Sequence, residues 1–219
     1  MRRLPAIFML AALTAGLPLL ASAHQGDIDK VNGSVQVEAG QQAGDVSTVN
    51  GAVRVGNGAT VEKASTVNGA VELGDHAQAS KLGTVNGAIT LGAASKVSGE
   101  VSAVNGRIHL AKAAEVGGKL GNVNGAIVLD EAHVAGGIET VDGDVTIGAN
   151  SRVEGGLRVN ADHSWFHMSS RKPRIVIGPH ATVAGTLEFK REVDLYVSDS
   201  ATIGKVEGAN PQKFSGDQP

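Results

Sequence analysis

The sequence repeats Val-Asn-Gly at an almost fixed interval, and no other feature constrains the fold as tightly. The tripeptide begins at Val31, Val49, Val67, Val85, Val104 and Val123, then decays to Val141-Asp142-Gly143 and Val159-Asn160-Ala161. Successive spacings are 18, 18, 18, 19, 19, 18 and 18. Such a period marks a solenoid, in which one repeat is one coil that buries its apolar side only against the coils above and below.

Aligning the coils predicts strands. Four residues after each repeat valine stand Val35, Val53, Val71, Ile89, Ile108, Ile127 and Val145, and two further on Val37, Val55, Leu73, Leu91, Leu110, Leu129 and Ile147. Period-2 alternation turns both columns inward and leaves Arg54, Glu72, Thr90 and His109 outside. Aliphatic or small residues also recur every six positions, as in Val49, Val55, Val61, Val67, Leu73 and Ala79. Three hexads per coil predict an all-β, single-domain, three-sided parallel β-helix with coils of 18–19 residues. Parallel crossovers are overwhelmingly right-handed, so a right-handed coil is expected over a left-handed one.

The column Asn32, Asn50, Asn68, Asn86, Asn105, Asn124, continued by Asp142, reads as a corner before Gly, where special backbone angles are tolerated. Stacked Asn amides also form hydrogen-bonded ladders. A second corner is expected at Gly56, Gly74, Gly92 and Gly148, with Ala111 and Asp130 replacing Gly where the period lengthens.

Aromatic residues make up only 3% of the chain, which suits a narrow aliphatic interior, and with no cysteine there is no disulfide framework. Residues 1–23 read as a secretory signal peptide: Arg2 and Arg3, an apolar run from Ile7 to Leu20, then Ala21-Ser22-Ala23. The run is short for a membrane span, so no transmembrane segment is expected after cleavage. Export to the periplasm or the extracellular space follows. Without Arg2 and Arg3, 17 basic residues face 22 acidic ones, which leaves no basic footprint for nucleic acid.

The phase breaks after Val159. The hexad Ile177 to Val183 matches Val55 to Val61 only if 12 residues are inserted within about 160–174. The solenoid is expected over 24–208, and the polar stretch 209–219 reads as a disordered tail. The insertion holds two of the candidate sites. Trp165 and Phe166 with Arg171, Lys172 and Arg174 form a candidate binding surface, because aromatics and Arg are enriched in binding hot spots. His163 and His167 have a metal-ligand spacing. Asp142, Asp144 and Glu139 are the best carboxylate group for glycoside hydrolysis, but no aromatic platform stands nearby. The column Thr48, Thr66, Thr84 offers a regular surface of the ice-binding kind, interrupted by Ala103 and Asn122.

Residues 55–60 (Val-Gly-Asn-Gly-Ala-Thr) resemble the hexapeptide repeats of left-handed β-helix acyltransferases. The runs Val145 to Gly155, Ile175 to Gly185 and part of Ile89 to Gly99 follow a Val-x-Ile-Gly-x-x-x-x-Val-x-Gly pattern. In this they resemble the bactofilins, and the resemblance implies a right-handed three-sided β-helix that polymerises. The expectation is a secreted structural or interaction protein of the bacterial envelope, a rigid scaffold that stacks end to end or mediates adhesion. Its partner would be itself or an envelope polysaccharide or protein, and no cofactor is implied. The alternative is a β-helix protein that binds or processes polysaccharide.

Overall fold

The structure, a computed structural model, describes residues 24–161 and 171–219. These residues form a β-solenoid of parallel strands with no helix among them. The stretch read as a signal peptide lies outside the described residues. Pairings fall into three ladders. The third ladder is a sheet of its own with ten strands, from Val35–Val37 to Gln212–Phe214, which sets about ten turns. The other two run side by side through the 17-stranded sheet. At about 4.8 Å per coil, ten turns make a stack of about 48 Å.

Inside, the two predicted columns are buried from Val35 and Val37 through Val145 and Ile147. The second sheet adds Val46, Ala64, Leu82, Val101, Leu120 and Ile138. The largest fully buried side chains are Leu and Ile, and each meets the equivalent residue of the next coil: Val71 pairs with Ile89, and Ile89 with Ile108. An interior of constant width leaves little room for rings, and Phe189 enters the core only beyond the insertion.

The lengthening of the period has one place in the coil. Ala79 pairs with Val97 at the original spacing, while Leu82 pairs with Val101 at the longer one, so the extra residue lies within Ser98–Glu100. The corner at Ala111 does not supply it, since Leu91 and Lys96 pair with Leu110 and Glu115 at one spacing. Before that point one strand of nine residues serves both ladders of the sheet, as in Thr60–Asn68. After it the strand splits into Lys96–Val97 and Val101–Asn105. The added residue makes a bend, and the bends stack through Gly99, Gly118, Gly136 and Gly155. A Cβ on Gly118 or Gly136 would collide with the backbone of the coil below.

The two corners read from sequence differ from the expected geometry. In Val-Asn-Gly, Gly87 and Gly106 lie outside the left-handed region, yet a Cβ there would overlap the carbonyl oxygen of the preceding coil's glycine. Gly33, Gly51 and Gly125 of the same corner hold positive φ of 99°, 156° and 121°, so the corner combines special backbone angles with close approach. A further series of positive-φ residues sits two positions beyond the second corner at Gly58, His76, Ala94, Ala113, Asn150 and His180, and one position beyond it at Glu131.

The insertion shows in the register, where Val145 pairs with Ile175 and Ile147 with Ile177, partners separated by a whole coil plus the added stretch. The segment 209–219 does not stay apart from the fold. Gln212–Phe214 pairs in parallel with Tyr196–Ser198 and completes the third ladder of the last coil. Its polar composition hid a strand whose outer side faces solvent.

Candidate functional site

The second sheet departs most from expectation. The strand Val46-Ser47-Thr48-Val49 alternates from an inward Val46, so Thr48 points in and Val49 out. Thr48, Thr66 and Thr84 are buried, and their hydroxyls donate to the carbonyls of Gly33, Gly51 and Gly69 at 2.9–3.1 Å. This overturns the ice-binding column, since those hydroxyls are spent on the corner below. It also corrects the hexad reading, in which the repeat valine is one of the aliphatic positions. Val49, Val67, Val85, Val104 and Val123 are each 39% exposed and Val31 is 66% exposed. Nothing in a column of valines tells inside from outside, but the parity of the threonines does.

Beside the valines runs the asparagine ladder. Asn50 Nδ2 donates to Asn32 Oδ1, Asn68 to Asn50, Asn86 to Asn68, Asn105 to Asn86 and Asn124 to Asn105, all at 3.0–3.1 Å. Asp142 takes another partner, the guanidinium of Arg191. On the other side of the valines, Ser47, Ser65, Gly83, Ser102 and Gly121 add no charge. Five coils therefore present a regular, uncharged strip of valine and asparagine.

Sequence reasoning grouped Asp142, Asp144 and Glu139 as carboxylates for catalysis, and the structure engages each within the chain. Asp142 holds Arg191, whose guanidinium also donates to the carbonyls of Val141 and Arg171. Asp144 accepts from the Arg171 guanidinium and, at 2.8 Å, from the Arg174 amide. Glu139 accepts from Asn160 Nδ2 at 2.6 Å and faces Lys119 at 3.8 Å. Together these contacts fasten the two ends of the insertion to the solenoid. Each of the three carboxylates is thus partnered within the chain, Asp142 and Asp144 by arginines and Glu139 by Asn160.

The basic residues of the candidate binding surface are likewise engaged. Lys172 lies 2.9 Å from Glu192, which raises the lysine pKa and holds the Glu192 carboxyl below its ordinary value, chiefly through their hydrogen bond. Arg174 sits 5.2 Å above the centre of the Tyr196 ring. Trp165, Phe166, His163 and His167 lie outside the described residues. Among the described residues no group of three or more His, Asp or Glu is placed to hold a metal ion.

One buried side-chain polar atom among the described residues is unsatisfied. Asn122 stands in the threonine column, 6% exposed; its Oδ1 accepts from Thr140 Oγ1 at 2.6 Å, and its Nδ2 has no partner. Asn122, Val104, Val123, Glu139 and Asn160 line an open groove beside the end of the stripe. Comparison with protein-family models, characterised proteins and solved structures gives no match.

Proposed function

We propose that this chain is an exported structural protein of the bacterial envelope, a rigid three-sided, right-handed solenoid that stacks end to end into a scaffold. The observation that carries this reading lies at the two ends of the stack. Ile28 in the first coil is register-equivalent to Val46, yet it stays half-buried while Val46 is fully buried. At the other end Ile203 and Val206 stay half-buried, while their partners Val183 and Leu187 are fully buried. Among the described residues both ends thus leave core positions only half-covered next to strand edges, and an exposed edge is a template for pairing with another chain. Head-to-tail contact of this kind is heterologous and builds filaments rather than closed rings.

Export rests on the charged, apolar and small-residue segments of residues 1–23. The polysaccharide-processing alternative loses its best support, because Asp142 and Asp144 are tied to arginines. Electron microscopy of the purified protein lacking residues 1–23 tests the proposal. Filaments that disappear in Ile203→Lys are expected, and monomers at every concentration in the unaltered protein sink it.

A further inference from the structure

We propose that the exposed valine stripe is a lateral contact between two copies of this chain, laid antiparallel about a two-fold axis at Val85. This goes beyond end-to-end stacking, because it uses the side of the solenoid instead of its ends.

Single exposed apolar residues on a surface need no explanation, but a contiguous row does. Val49, Val67, Val85, Val104 and Val123 are equally exposed, and the coils that carry them are in strict register. The row offers a ridge with furrows about 4.8 Å apart. A partner that fills those furrows needs apolar knobs at the same interval, and a second copy of the stripe has them.

The charges beside the stripe set the orientation. Four residues before each valine stand Asp45, Lys63, Lys81, Glu100 and Lys119, in ladder order. Reversed and laid against itself about Lys81, this column sets Asp45 against Lys119 and Lys63 against Glu100, each twice. Lys81 alone meets its own copy. In a parallel arrangement the two columns fall on opposite sides of the stripe and match nothing. In the column nearer the valines, Asp29 and Glu139 would oppose each other at the extremes, which confines the contact to the coils from Val49 to Val123. The result is an apolar centre with a charged rim, the ordinary anatomy of an interface. The strip is about 19 Å long and a single valine wide, so its area falls well short of the roughly 800 Å² per partner of a standard interface, and the dimer is weak and exchanges readily.

The test uses the absence of cysteine from the chain. It is done in the Ile203→Lys background, so that failure of end stacking leaves it intact. With a short bismaleimide crosslinker, Val85→Cys should link to itself. Val49→Cys should stay monomeric alone and link when mixed with Val123→Cys. Gln36→Cys, on another face, sets the background. By sedimentation equilibrium, Lys63→Glu and Glu100→Lys should each weaken the dimer by roughly tenfold, and the double variant should recover it. Equal linking by Val85→Cys and Gln36→Cys, or a double variant weaker than either single one, overturns the proposal. So does a protein that stays monomeric while envelope polysaccharide shields Val85→Cys from maleimide, which would give the stripe to that occupant.

Discussion

At Asn122 the repeat departs from its own rule and the departure carries a cost. Thr48, Thr66 and Thr84 each close a bond to the glycine carbonyl of the coil below, whereas Asn122 leaves Nδ2 buried without a partner and draws Thr140 Oγ1 to its Oδ1. A buried unsatisfied donor costs about 1–3 kcal/mol. Asn122→Thr would place a hydroxyl where the column has one and release Thr140 to do the same toward Gly125. We expect the variant to gain about 1 kcal/mol in denaturant unfolding; equal or lower stability would mean that the amide is satisfied in solution. This site was legible only in part. The sequence marks Asn122 as an interruption, but only the inward direction of the column makes it a buried one.

At the scale of the element, the strands were readable and the bends between them were not. Columns of Val, Ile and Leu at alternate positions specify a buried strand face whatever the neighbouring coil does, so Val35–Val37 and its equivalents followed from pattern alone. The face of the repeat valine did not follow, because valine suits either side of a strand and only the partner threonines fix the parity. The bend near Ser98–Glu100 escaped because a one-residue change in period does not say where in the coil it falls. The turn after the third ladder carries a conformational cost that pattern cannot show: Ala94 and Ala113 hold φ of 53° and 58°. Left-handed backbone at a residue with a Cβ costs about 1 kcal/mol or more. Ala113→Gly should therefore raise the thermal midpoint despite glycine's greater freedom when unfolded, and no change would show that the turn is already relaxed.

Over the whole molecule, the outer surface is stitched from coil to coil by ion pairs, among them Arg54–Glu72, Lys81–Glu100, Lys96–Glu115 and Lys112–Glu131. Exposed pairs of this kind contribute little singly. Three carboxyls are nevertheless held below the ordinary value of 4.5: Glu192 first by its hydrogen bond from Lys172, Glu188 first by that from Arg158, and Glu154 first by that from Arg152 and then by His133. A carboxyl depressed in the folded state adds stability that is present above its unfolded pKa and is lost as pH falls through the folded one. Acidification below about 4.5 should therefore lower the melting temperature, and the fall should be shallower in the double variant Glu154→Gln, Glu188→Gln. Parallel slopes for the two proteins would assign the acid sensitivity elsewhere. Polar residues on one exposed face gave no sequence sign of how they pair across coils, because the pairing depends on register and not on neighbours in the chain.

The long step in the third ladder, from Val145 to its partner Ile175, has a use of its own. The ladders resume above it in the same register as below, and the contacts Asn160–Glu139 and Arg171–Asp144 hold its two ends to the wall. Foreign sequence spliced there would leave the register of the coils on either side unchanged. The solenoid thus has a grafting socket, through which an epitope or an enzyme could be displayed on whatever the coils assemble into.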